Sequence, residues 1–235
     1  MRRDIKFTAL LPMKGHSERV KNKNLRDFNG RPLFYHILNT LMDSTYVSEV
    51  FIDTDSEEIA RKAKSFFPGV HIIERPPELC GDMVSMNMII EHDIKVAGKE
   101  YYIQTHTTNP LLTVETLDRG CERFLGNRQK YDSLFSVNRL QTRLYDRDAK
   151  AVNHNPEQLV RTQDLPPLYE ENSNLYIFSR TSFLESGARI GKRPQMMEMD
   201  RLEAVDIDEE ADFILAEQIG RVLKEPHAIT SYFRR

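Results

Sequence analysis

Cysteine is almost missing from this chain: Cys80 and Cys121 are the only two in 235 residues. They stand in dissimilar contexts, without C-x-x-C or Cys/His spacing, which argues against a disulfide framework and a zinc centre. Two isolated thiols are expected to be packed or idle in a reducing compartment. Long apolar runs are also missing, and none reaches the roughly 18 residues that span a bilayer. The start, Met1-Arg2-Arg3-Asp4, has no signal-peptide stretch, so a cytoplasmic, membrane-free protein is expected. There is no excess charge of one sign. Lys plus Arg number 33 against 36 Asp plus Glu, a net charge of -3, which gives no general pull toward nucleic acid. Internal repeats and low-complexity segments are absent too. What remains, 40% hydrophobic and 29% charged, reads as a globular domain long enough to bury a sizeable core.

The most informative stretch is a short apolar strand, Phe7-Thr8-Ala9-Leu10-Leu11-Pro12, running into the polar loop from Met13 to Asn24. A strand of that kind can be buried on both faces, so its loop leaves the carboxyl edge of a sheet, where open α/β folds bind ligands. Gly15 permits tight backbone, Ser17 and the amides offer donors, and Lys14, Arg19, Lys21 and Lys23 supply positive charge. Such a surface suits a polyphosphate, a solvated charged turn being the plainer alternative. Neither the P-loop spacing nor Gly-x-Gly-x-x-Gly is present.

Helices and strands then alternate as in a doubly wound sheet. Pro32 to Met42 reads as a helix with proline at its start, and Val50-Phe51-Ile52 as a strand. Asp55 with Glu58 reads as a capping box for the helix through Phe67. Strands follow at Val70–Ile73, Tyr101–Gln104 and Ser133–Val137, with helices from Ser85 to Val96 and from Thr113 to Phe124. From about 138 to 170 the rhythm fails. Arginines and Pro156, Pro166 and Pro167 mark an irregular excursion, and the pieces around Leu144-Tyr145 and Leu159-Val160 favour order over disorder. Asn174–Phe178 and Ala204–Ile207 are the last expected strands, and Glu209 to Lys224 closes the chain as an amphipathic helix.

In a strand over Ala204–Ile207, Asp206 and Asp208 would project to one face at the sheet's end. Two convergent carboxylates repel unless a cation lies between them, and magnesium accepts one or two carboxylates with water and phosphate. Asp208 as a simple helix cap is the alternative.

The loop and its sequel, with Ser17, Lys23, Asn24, Phe28, Gly30, Pro32 and Leu33, resemble the signature of the acylneuraminate (CMP-sialic acid synthetase-like) cytidylyltransferases. That family opens with Ala-Arg-x-x-Ser-Lys-x-x-Pro-x-Lys-Asn and continues into Phe-x-Gly-x-Pro-Leu. Lys14 stands where it usually has Arg, Glu18 where it has Lys, and Lys21 where it has Pro, with Arg19 beside Glu18 able to take over the displaced cation. Asp53-Thr54-Asp55 resembles its Ser-Thr-Asp segment. Arg75-Pro76-Pro77-Glu78-Leu79 with Asp82 and Ser85 resembles the stretch that approaches its nucleotide. Thr108-Asn109-Pro110-Leu111 resembles its Gln-Pro-Thr-Ser-Pro-Leu turn, with either Gln104 or His106 in the glutamine's place. The run from Arg161 through Gln163, Tyr169, Glu171 and Asn172 resembles the segment that binds its acidic sugar, with Ser173 replacing the usual glycine. Asp206-Ile207-Asp208 followed by Asp212-Phe213 and Ala216-Glu217 matches its carboxy-terminal motif, whose first two aspartates bind the metal.

The resemblance, from about Thr8 to Glu217, implies one nucleotidyltransferase domain over residues 1–235. The fold expected is α/β, a Rossmann-like three-layer sandwich with a mostly parallel sheet and an irregular dimerisation excursion. The activity it implies is magnesium-dependent transfer of CMP from CTP to an acidic 2-keto sugar. Lys14, Arg19, Lys23, Asp206 and Asp208 would act on the phosphates. Gly15, Ser17, Asn24, Arg75, Asp82 and Ser85 would help hold the nucleotide. Gln104, His106, Thr108, Asn109 and the excursion residues would hold the sugar, across a homodimer. The alternatives are a different acidic sugar such as Kdo, or a non-catalytic sugar-nucleotide-binding homologue.

Overall fold

The computed structural model describes residues 5–81 and 83–224. The first strand, β1 (Phe7–Met13), is buried along its whole length, as its unbroken apolar run requires. A two-stranded ribbon, β2 (Asp27–Phe28) and β3 (Arg31–Pro32), leads into α1 (Leu33–Asp43). Then come β4 (Val47–Thr54), α2 (Glu57–Phe66), β5 (His71–Glu74), α3 (Met86–Ala97), β6 (Tyr101–Thr105) and α4 (Val114–Asn127). The chain continues through β7 (Ser133–Leu140), β8 (Leu168–Ser179), α5 (Arg180–Ser186), β9 (Pro194–Glu198) and α6 (Glu210–Lys224). The main sheet has seven strands in the order β5-β4-β1-β6-β8-β7-β9. Only β8 runs against its neighbours, so the sheet is mostly parallel.

Helices cover both faces. Phe34 and Leu38 of α1, Ile59 of α2 and Leu117 and Phe124 of α4 pack on Leu11, Ile52 and Ile103. On the opposite face Ile90 and Ile94 of α3 and Phe183 of α5 pack on Leu10, Tyr102 and Phe178. A third cluster joins Val20 and Phe28 to Ile207, Phe213 and Ala216, tying the first loop and α6 together beyond the strands' carboxyl ends. Cys121 is buried and Cys80 half-buried, both as free thiols. Among the described residues no helix is long and apolar enough to cross a membrane.

Several local expectations are corrected. Ala204–Ile207 forms no strand. Its Ile207 N–H donates to the Thr108 carbonyl at 2.9 Å, so the segment lies over the end of β6. The last strand of the sheet is instead β9, which pairs with β7. Ser56, not Asp55, caps α2, accepting from Ile59 N–H, because the Asp55 carboxylate is drawn to Gly15. The excursion is ordered. β7 and β8 extend into it as far as Leu140 opposite Leu168, and Tyr145 bridges to Ala151 further out. Most of the segment expected to bind sugar, from Tyr169 to Asn172, thereby lies within β8.

Ser173 interrupts that ladder at φ 54°, in the left-handed region, beside the irregular register between Phe135 and Val137. Glycine adopts this conformation without steric cost. Ser173→Gly is expected to stabilise the fold by roughly 0.5–1 kcal/mol, the left-handed penalty less the greater entropy of unfolded glycine. Urea unfolding checks this, and a loss of stability would show that the serine conformation is unstrained.

Candidate active site

The strand order places β1 between β4 and β6, the point where the sheet's winding reverses and α/β folds open a crevice. The loop after β1 lines it. Gly15 N–H donates to Asp55 Oδ1 at 2.6 Å, and a Cβ there would stand 2.8 Å from Ser56 Cβ, so only glycine permits this approach. Asn24 donates to the Lys14 carbonyl at 2.8 Å and accepts from the Thr107 hydroxyl at 2.6 Å, pinning the loop at both ends to β6's exit. The result is an open cleft of about 270 Å³ with Lys14, Ser17, Glu18, Arg19, Lys23, Asn24, His106 and Thr108 on its walls.

The Asp206–Asp208 segment borders this cleft without being a strand. Arg19 reaches Asp208 Oδ1 at 2.7 Å, and Lys23 Nζ donates to the Ile207 carbonyl at 2.7 Å. Burial pushes the Asp206 carboxyl above its ordinary value, with Asp208 adding repulsion and the Thr108 hydroxyl and Lys23 opposing the shift. Burial likewise pulls Lys23 down, against the attraction of both aspartates. Asp208 is not the cap of α6. Asp212 instead reaches back to the Asp208 and Glu209 N–H groups at 3.1 and 2.8 Å. Asp206 Oδ1 is buried with no hydrogen-bond partner among the described residues. Two carboxylates, one with a free inward oxygen, form an all-oxygen donor set that fits a hard divalent cation such as magnesium.

Gln104 and His106 are neighbours that share one partner, Arg189. Arg189 donates through one terminal nitrogen to Gln104 Oε1 at 2.6 Å and lies 3.2 Å from His106 Nε2. That bond orients the Gln104 amide, whose NH₂ faces the same imidazole nitrogen at 2.9 Å. With two donors directed at it, Nε2 must accept, leaving the proton on Nδ1. His106 is accordingly pushed down to about 3, by burial first and then by Arg189 and Lys23. It is a neutral donor and orienting group, not a general base.

Other expected site residues fall elsewhere. Asn109 is buried behind the cleft, its amide donating to the Val205 carbonyl at 3.4 Å. Ser85 caps α3 on the rim of an adjoining hollow that also includes Glu171. Asn172 is buried within β8, accepting from Ser136 and donating to Asn138. The structure does not bring Arg161, Gln163 or Tyr169 to the cleft. Arg161 has its fork on Asp164, Gln163 is exposed beside it, and Tyr169 pairs opposite Arg139. Asp82 lies outside the described residues.

Arg75 is withdrawn from the cleft into a buried ion pair with Asp53. Asp93 and His92 of α3 complete that cluster, with His92 Nδ1 3.9 Å from Asp53 and 3.6 Å from Asp93. One guanidinium faces two buried carboxyls, so burial and the charge on Asp53 hold Asp93 well above the carboxylate range. A raised folded pKa means the stabilising protonated form is complete below the unfolded value of about 3.8 and is lost as pH rises toward the folded one. Asp93→Asn, which cannot ionise, is therefore expected to gain stability relative to the parent between pH 6 and 9. Parallel urea titrations test this, and an identical pH dependence in both proteins would contradict it.

A basic loop after the first strand, facing paired carboxylates at a switch point of a mostly parallel sheet, has the arrangement of the Rossmann-like α/β folds. Residues 8–227 match the profile described as cytidylyltransferase, and the chain belongs to that enzyme family. It is 30% identical over 226 residues to N-acylneuraminate cytidylyltransferase A of Danio rerio, covering 93% of this chain and 51% of that protein. The chain thus spans about half the length of that relative. It is 25% identical to pseudaminic acid cytidylyltransferase of Campylobacter jejuni, covering 94% of this chain and 99% of the relative. Its fold resembles that of CMP:2-keto-3-deoxy-manno-octonic acid synthetase complexed with CTP, with TM-score 0.67 and 14% identity over 94% of this chain and 99% of the other.

Proposed function

We propose that the protein transfers CMP from CTP to an acidic 2-keto sugar of the nonulosonic acid type, releasing pyrophosphate. The observation that carries this reading is the convergence of Lys14, Arg19 and Lys23 with Asp206 and Asp208 around one cleft. The relatives named for acylneuraminate and pseudaminic acid support the acidic sugar class. The triphosphate lies along the loop, its negative charge met by the three cations and by amides near Gly15 and Ser17. The sugar's anomeric hydroxyl attacks the α-phosphorus, an O–P bond forms, and the bond to the β-phosphate breaks. Magnesium held by Asp206 and Asp208 would supply charge neutralisation at the phosphate oxygens. Lys14 and Lys23 stay on the departing pyrophosphate, and the hydroxyl proton passes to water, since neutral His106 with Nε2 occupied is no base.

The excursion supports a homodimer. Tyr145, Val152, Leu159 and Tyr169 are exposed along it, and an excursion that carries apolar side chains without its own core calls for a symmetric partner. Light scattering with and without residues 141–158 distinguishes a dimer from a monomer. Incubation with labelled CTP, magnesium and a panel of nonulosonic and Kdo-type acids tests the activity. A CMP-sugar from a nonulosonic acid is the expected product. No product with any acid would overturn the reading, and a product only with Kdo-type acids would move the substrate to that class.

A further inference from the structure

We propose that Arg189, beside the nucleotide cleft, is the seat of the acidic sugar's carboxylate, an inference that rests on the proposed use of an acidic sugar. Arg189 follows α5 and lines a hollow of about 360 Å³ with Ser85, Met86, Asn87 and Glu171. That hollow adjoins the nucleotide cleft: Met86 lines both, and His106 of the cleft touches Arg189. A molecule in the hollow therefore lies next to the phosphate-binding loop.

Arg189 is held as a receptor is held. One terminal nitrogen is bound to Gln104 Oε1 and His106 Nε2, and its guanidinium carbon lies 3.8 Å from the centre of the Tyr176 ring. Amide, imidazole and ring are all neutral, and Arg189 forms no salt bridge among the described residues. The charge of Glu171 acts on it, but that carboxylate accepts from the Tyr176 hydroxyl instead. A half-buried guanidinium with no carboxylate in direct contact is costly, and an incoming carboxylate offsets that cost. Its Nε and second terminal nitrogen make no hydrogen bond among the described residues, leaving a two-donor edge with the spacing of a carboxylate's oxygens. Glu171, in the same hollow, is suited to sugar hydroxyls. Arg161 offers no equivalent fork, since Asp164 occupies it.

The test compares each acidic sugar with its methyl ester in the parent enzyme, Arg189→Gln and Arg189→Lys. The parent should prefer the acid. Arg189→Gln should lower kcat/KM for the acid by roughly tenfold to a hundredfold, the loss expected for a charge-assisted pair. It should lower the ester's value far less and leave the KM for CTP nearly unchanged, so that discrimination collapses. Arg189→Lys, which keeps charge but not the planar fork, should retain part of the preference and guards against a glutamine variant that fails to fold. Undiminished discrimination in both variants overturns the assignment, as does collapse in Arg161→Gln with Arg189→Gln unaffected. A parent that turns over no acidic sugar refutes the functional reading itself, a result distinct from either.

Discussion

Asp206→Asn is expected to lower turnover by about a hundredfold or more, the scale of loss when a transition-state charge interaction is removed. The substitution preserves shape, so thermal stability and much of the CTP affinity should persist. The reason lies in the environment of this carboxyl. It is half-buried, repelled by Asp208, and keeps one oxygen free of any partner among the described residues. An asparagine amide there offers one neutral oxygen in place of an anionic pair and cannot neutralise charge at the phosphates. Wild-type turnover in Asp206→Asn would reject the role.

Lys23→Met should be nearly as severe, with kcat/KM for CTP down by about a hundredfold. Lys23 is tied to the opposite wall through the Ile207 carbonyl, while the charges of Asp208, Asp206 and Arg19 all act on it. Its loss removes positive charge from the triphosphate and also frees the segment carrying both aspartates. Methionine keeps the aliphatic volume, so the effect reports charge and tether more than packing. Arg19→Ala should cost less, because its pair with Asp208 is formed between exposed side chains and is screened by solvent. Steady-state kinetics with CTP as the varied substrate separates the two. Equal effects would mean that Arg19 shares the phosphate contact equally with Lys23.

Much of the fold was legible in local pattern. The continuous apolar run of β1 and the apolar stripe of α1 locate the sheet and the face that α1 covers, because burial on two sides or one leaves different periodicities. The loop's place at the strand's carboxyl edge was legible too, but of its four cations only Lys14, Arg19 and Lys23 line the cleft, while Lys21 lines a separate hollow with Leu25 and Glu58. What pattern missed was decided by tertiary partners. Asp55 and Glu58 satisfy a capping-box spacing, yet Gly15, 40 residues earlier, claims the Asp55 carboxylate. β9 begins with proline and carries one buried residue in five, so its alternation is faint. Arg189 belongs to no motif at all. The two hydrogen-bonded partners of its side chain lie 85 and 83 residues away, and a surface arginine after a helix gives no sign of being drawn inward.

The central claim is that triphosphate and metal meet between the loop after β1 and the Asp206–Asp208 segment. Crystals grown with CTP and manganese, measured at the manganese absorption edge, test it most directly. The account predicts an anomalous peak contacting both aspartates and the triphosphate, with Lys14 and Lys23 on the phosphate oxygens. A triphosphate bound elsewhere, or manganese seated on Asp53, His92 and Asp93 instead, would contradict it.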